Sequence, residues 1–156
     1  MMYSDGCVHY KCFKINLQEE DKEILEKIKL QLKYEGELEF LKNHNVKYKD
    51  QYQLRITRKK MVDDLKKLGC VESKSNIIQF PTEDIVPKEF IWDFIRGIFD
   101  GDGSIRVRNN SIHLSFAGCK IFNNGLKMLF SNNNIEYKEY LKTNAQYSSE
   151  VVLTKT

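Results

Sequence analysis

Apolar residues recur along this chain with two periods, two and about 3.6, and the periods alternate in a fixed order. Residues 7–17 (CVHYKCFKINL) end in strict alternation, with Phe13, Ile15 and Leu17 on one face and Cys12, Lys14 and Asn16 on the other. This predicts a half-buried strand. Residues 19–34 place Ile24, Leu25, Ile28 and Leu32 at helical spacing behind Glu19, Glu20 and Asp21, acids that the helix dipole favours in a first turn. Gly36 marks the exit. Residues 37–41 and 46–57 predict a hairpin, its second strand alternating Tyr52, Leu54 and Ile56 with Gln53, Arg55 and Thr57. A short helix follows at 59–68, carrying Met61, Leu65 and Leu68 and closed by Gly69.

Beyond a connector at 71–87, the segment 88–101 changes character. Phe90, Ile91, Trp92, Phe94, Ile95, Ile98 and Phe99 make it apolar almost all round, so it is expected to be buried on most faces. Gly97 and Gly101 lie four apart and cost a helix about 1 kcal/mol each relative to alanine. A close approach of another backbone would account for them, by the small-residue logic of tightly packed helices. The segment runs into Asp100-Gly101-Asp102-Gly103. Two alternating strands follow, 104–108 and 111–116, with Ile105, Val107, Ile112, Leu114 and Phe116 expected inside. Then come a helix at 119–131 and strands at 135–141 and 147–154.

These elements repeat. Asp5-Gly6 falls on Asp102-Gly103 at a spacing of about 97 residues, and Leu54-Arg55-Ile56-Thr57-Arg58 falls on Val151-Val152-Leu153-Thr154-Lys155. Ile24, Ile28 and Leu32 fall on Phe122, Leu126 and Phe130 with one residue of slip. Each half reads strand, strand, helix, strand, strand, the mark of a duplicated unit about a pseudo-twofold axis. The division is a first repeat at 1–70, a connector at 71–87 and a second repeat at 88–156. Relative to the repeat, the partner of helix 88–101 would end at Ser4, and the partner of helix 59–68 would follow Lys155. Both ends therefore read as clipped.

Charge sharpens the division. The net charge is only +3, but residues 1–70 carry 15 basic and 12 acidic side chains, 71–103 carry 3 and 7, and 104–156 carry 7 and 3. Two basic lobes flank an acidic centre, which suits a polyanion held over metal ions. The 41% apolar share argues against a disordered chain. No run of about 18 apolar residues predicts a membrane span, and no secretory signal opens the chain. Cys7, Cys12, Cys70 and Cys119 contain no C-x-x-C pair, so a reduced, intracellular chain is expected. His9 between Cys7 and Cys12 is the one hint of zinc; strand positions account for these residues better.

The run Ile95-Arg96-Gly97-Ile98-Phe99-Asp100-Gly101-Asp102-Gly103 resembles the signature helix of the LAGLIDADG homing endonucleases. Met1-Met2-Tyr3-Ser4-Asp5-Gly6 resembles the tail of a first, degenerate copy. The resemblance covers nearly the whole chain and implies an α+β fold of tandem αββαββα-like repeats, with saddle-shaped antiparallel sheets and helices on one face. It also implies packing of two signature helices through Ser4, Gly97 and Gly101, and Mg²⁺ (or Mn²⁺) held by Asp5 and Asp102 with carbonyls of Ser4 and Gly101. Phosphodiester hydrolysis follows from such a site, with Arg58 and Lys155 as candidate basic residues near the metal. Asp100 matches the motif's first, structural acid, and Tyr3 replaces it in the first copy. Against this stand a plain D-G turn and a calcium loop; an EF-hand register fails, because position 1 or position 6 would fall on Ile98 or Ile105.

Family members read double-stranded DNA with the sheet face opposite the core. The matching side chains are Lys14, Asn16, Gln53, Arg55, Ser104, Arg106, Arg108, His113 and Ser115, with Lys142 toward phosphates. Each singly also fits a solvated strand face. The implied protein is a pseudo-symmetric monomer, or a homodimer through helix 88–101 if its partner helix is absent. It acts in the cytoplasm or nucleoid, or in an organelle if intron-encoded. A binding module of maturase or regulator type, or an intein endonuclease remnant, is the alternative. No Cys or Ser at residue 1 and no terminal His-Asn support self-splicing.

Overall fold

The computed structural model describes residues 2–45, 47–108, 110–141 and 147–155, with residue 155 described by its backbone alone. The chain forms two compact units, Met1–Lys67 and Leu68–Thr156. The division falls three residues before the boundary read from the sequence, and the segment 71–87 belongs with the second unit.

In the first unit, strands β1 (Gly6–Val8) and β2 (Phe13–Gln18) lead through a 3-10 turn into helix α1 (Lys22–Gln31). Strands β3 (Glu39–Leu41) and β4 (Gln51–Ile56) and helix α2 (Lys59–Lys67) follow. The expected single strand at 7–17 is thus a hairpin. His9 donates its backbone N–H to the Cys12 carbonyl at 2.8 Å, because His9-Tyr10-Lys11 has no alternation to hold it in a sheet. The hairpin buries Cys12 and exposes Cys7, and among the described residues no three His, Cys, Asp or Glu side chains gather into a metal site.

The second unit runs α3 (Ile91–Asp102), β5 (Gly103–Arg108), β6 (Ser111–Cys119), α4 (Lys120–Asn132), β7 (Lys138–Leu141) and β8 (Ser148–Lys155). The sheets have the same antiparallel order, β1-β2-β4-β3 and β5-β6-β8-β7. α1 lies on β2 and β4, and α4 on β6 and β8. The register confirms the duplication. The row Gly6–Ile15–Leu54 corresponds to Gly103–Phe116–Val151, with Gly6 and Leu54 each 97 residues before their counterparts and Ile15 101 before its own. The extra four residues lengthen the β5–β6 hairpin.

The helix alignment shifts as well. In α1 Leu25 is buried, while Ile24 and Leu32 are exposed; α4 buries Phe122, Asn123, Leu126 and Phe130. One residue rotates a helical position by 100°, so the slip that pairs Ile24 with Phe122 presents the wrong face. Asn123 is held in the core by donating to the Ser149 carbonyl at 2.9 Å and hydroxyl at 3.0 Å. α3 is less enclosed than its composition implies. Ile95 and Ile98 are buried and Phe94 packs against Phe80 and Phe122, but Phe90 and Trp92 are exposed. Phe99 stacks on Phe116. Phe94, Ile98 and Phe99, which an uncovered helix would leave exposed, are thus engaged within the chain.

The row Val8–Phe13–Ile56 is buried, and α2 packs on β1 at its edge. Its counterpart, Ile105–Leu114–Leu153, has no such helix among the described residues: Val8 is 3% exposed and Ile105 63%. Val107 and Ile112, expected inside, are also exposed. Ile56→Ala is therefore expected to cost about 2–5 kcal/mol in urea unfolding, and Ile105→Ala about 0.5 kcal/mol or less. Lys127 donates to Glu139 Oε2 at 2.6 Å between α4 and β7, and this bond holds the Glu139 carboxyl below its ordinary value of 4.5. A folded-state value below the unfolded one adds stability above pH 4.5 that is lost as the pH falls further. Glu139→Gln should be less stable than wild type at pH 7, and the gap should close in unfolding curves taken below that value.

Candidate nucleic-acid interface

The acids of the repeat sit at the same place in each unit, one residue before the first strand. Gly6 and Gly103, which follow them, have a shared steric role. A Cβ on Gly6 would lie 2.7 Å from the Met2 Cα, and one on Gly103 would run into the carbonyl oxygen of Phe99. Met2 and Phe99 are each four residues earlier, so in both units the strand starts folded back against the preceding turn. φ at Gly103 is −80°, so close approach rather than a left-handed backbone requires glycine there.

Asp5 is half-buried and accepts a 3.0 Å hydrogen bond from the Ser4 hydroxyl. Asp102 is exposed at the C-terminus of α3, and Gly101 is half-buried beside it. The last turn of α3 contains Asp100 and Asp102 and no basic residue. Carboxylates there oppose the negative end of the helix dipole, and Arg96, one turn back, lies 3.9 Å from Asp100. The available donors are carboxylate, hydroxyl and carbonyl oxygens, the chemistry that Mg²⁺ and Mn²⁺ prefer. At Gly97 an added Cβ would meet no described atom within 4 Å beyond its own helix.

The sheet faces away from the helices carry most of the expected polar residues. In the first unit, Cys7–Lys14–Arg55 and Asn16–Gln53–Glu39 form successive rows. Gln53 is buried and donates Nε2–H to Asn16 Oδ1 at 2.8 Å, so this pair presents itself as one unit. In the second unit the rows are Arg106–His113–Thr154 and Ser104–Ser115–Val152. Ser104 and Ser115 hydroxyls are 2.7 Å apart, and Ser115 is buried beneath its neighbours. His113 Nδ1 lies 3.1 Å from the Thr154 hydroxyl. Arg108 pairs with Ser111 at the exposed end of the hairpin. Arg58 is exposed between β4 and α2. Lys142 and the side chain of Lys155 lie outside the described residues. Glu150 and Tyr140 share the second face, unanticipated because the Val151-Val152 run hides the alternation of β8.

Residues 89–155 match the model of the LAGLIDADG-like domain. Solved structures extend the likeness to the whole chain. The meganuclease I-SmaMI bound to uncleavable DNA is matched over 98% of this chain and 76% of its own, with a TM-score of 0.61 and 12% identity. The LAGLIDADG homing endonuclease I-LtrWI bound to target DNA is matched over 99% and 76%, with a TM-score of 0.60 and 11% identity. I-DmoI, in complex with DNA and Ca, is matched over 91% and 68%, with a TM-score of 0.51 and 14% identity. The second half of this protein is a LAGLIDADG-like domain, and the whole chain has the fold of the LAGLIDADG endonucleases. A probable translation initiation factor IF-2 of Methanocaldococcus jannaschii is 31% identical over 144 residues, 90% of this chain; the chain spans only 12% of that relative.

Proposed function

We propose that this protein is a site-specific DNA endonuclease of the homing type, hydrolysing phosphodiester bonds with a divalent metal at Asp5 and Asp102. The observation that carries the reading is the repeated acid-glycine step, Asp5-Gly6 and Asp102-Gly103, in one strained-against-neighbour geometry in a chain with an endonuclease fold. Mg²⁺ or Mn²⁺ would be held by the two carboxylates with the carbonyls of Ser4 and Gly101. Bound there, the metal would polarise the scissile phosphate and stabilise the leaving oxygen. Arg58 and Lys155, at equivalent strand ends, are proposed as the basic residues that neutralise charge near the cut.

The outer faces supply the binding. Lys14, Arg55, Arg106 and Arg108 favour a polyanion, with Lys142 toward phosphates. Asn and Gln suit adenine and Arg suits guanine in the major groove, so Asn16–Gln53 and the arginines are proposed to read bases. His113, Ser104 and Ser115 line the same face. Such a protein acts on DNA inside the cell. A second, compatible reading concerns its carrier. The match to 12% of a translation factor fits an endonuclease segment lodged within a host protein, as in an intein, better than a part of the translation machinery. An intron or free-standing mobile element is the other setting.

The test is to incubate the protein with Mg²⁺ and duplex DNA carrying its insertion site. Wild type should cut, and Asp5→Asn and Asp102→Asn should each lose two or more orders of magnitude in rate, as the several kcal/mol from a metal implies. Retained binding in these variants would separate cutting from recognition. Equal cutting by Asp102→Asn would remove that residue from the chemistry, and binding without cutting by wild type would make this a regulator or maturase-like module.

A further inference from the structure

Glu150 is a carboxylate on a face otherwise suited to a polyanion. It lies in β8 opposite Ala117 and Tyr140, and its Oε1 is 3.7 Å from Arg106 Nη2. The two residues are not in one row. Arg106 shares its row with His113 and Thr154, and the row Ser104–Ser115–Val152 separates it from Glu150. The small residues Ser104, Ser115 and Ala117 lie between them, and Arg106 spans this low floor to reach the acid. A cleft of about 320 Å³ opens above Ser115 between Arg106, Arg108, His113, Tyr140 and Glu150.

The repeat supplies a direct comparison. The row Asn16–Gln53–Glu39 of the first sheet corresponds to Ala117–Glu150–Tyr140 of the second. Gln53 is 97 residues before Glu150, the spacing that also relates Leu54 to Val151. At this position the first half carries an amide that bonds a neighbouring amide, and the second carries an acid that pairs with a base. The two sheets therefore display different donors and acceptors at one place in a common scaffold.

We infer that Arg106 and Glu150 read a single G·C base pair as a unit, so that the two halves take chemically different half-sites. This rests on the DNA-binding reading above. In the major groove, guanine offers the acceptors O6 and N7 beside the N4 donor of its cytosine. A guanidinium fork beside a carboxylate is the complement of that edge. At 3.7 Å the two make an ion pair rather than a hydrogen bond, so Arg106 keeps its donors for guanine. The carboxylate keeps acceptor capacity for cytosine N4. An acid facing phosphates lowers affinity for every sequence; neutralised by Arg106 and used on cytosine, it instead discriminates among them.

Enrichment from a pool of randomised duplexes in EDTA, read by sequencing, tests this with wild type, Glu150→Gln and Arg106→Lys, each checked by circular dichroism. Wild type should fix a G·C pair at one position. Both variants should relax that same position, by on the order of 10- to 100-fold, and leave preferences elsewhere unchanged. Arg106→Lys keeps its charge, and its affinity for the unsorted pool is measured beside its preference so that a general loss of binding is separated from a relaxed position. The inference fails if the variants relax different positions, or if Glu150→Gln changes no preference while Arg106→Lys does, since Glu150 would then only hold the arginine. Wild-type enrichment without a G·C pair at a shared position also overturns it, leaving DNA binding intact. No enrichment by wild type overturns both this inference and the reading beneath it.

Discussion

Each half of this molecule depends on one steric constraint, the glycine that follows the acid. Gly6 and Gly103 begin their sheets with so little room that a single methyl group would collide with the residue four positions earlier. The strand can then leave the preceding turn at a sharp angle, and its first residue enters the row that continues through Ile15 and Leu54 or through Phe116 and Val151. The acid is caught between the end of the turn and the start of the strand. Its backbone is held on both sides, by a turn before Asp5 and by the end of α3 at Asp102.

The repeated scaffold has diverged where it meets solvent. Topology and register agree between the halves, yet their outer faces differ. The first presents an amide pair, Asn16 and Gln53; the second a longer hairpin with Arg106, Arg108, His113 and the opposed Glu150. The inner faces differ too. α2 packs on β1 at the edge of the Val8 row, while Ile105 and Val107 stand exposed on the longer β5. Duplication preserves backbone pairing, because hydrogen-bond ladders constrain every residue of a strand. It leaves outward side chains unconstrained, because alternate positions face water.

Most of the fold was legible in the sequence. Periods of two and 3.6 located three of the four strand pairs and the four α-helices of the described residues to within a few residues, while β1 and β2 merged into one expected strand. The structure departs from the pattern for particular reasons. At His9-Tyr10-Lys11 the alternation farther along, at Phe13, Ile15 and Leu17, masks a turn. Apolar spacing alone cannot tell the helical face of Ile24 from that of Leu25, 100° away. At Ile105, Val107 and Ile112 alternation marks which side of a strand is apolar, and says nothing about whether a helix covers it.

The candidate site divides in the same way. The sequence by itself determined the repeated Asp-Gly step and the set of polar strand positions, since these follow from residue type and spacing along the chain, and its resemblance to the LAGLIDADG signature supplied the fold family. Tertiary structure decided which of those positions act together. It buried Gln53 against Asn16 and Ser115 against Ser104, and it brought Glu150 to Arg106 across an intervening strand. Those pairings depend on strand register, which joins residues from 11 positions apart (Ser104 and Ser115) to 44 (Arg106 and Glu150) through backbone hydrogen bonds. No local pattern in the chain encodes that distance.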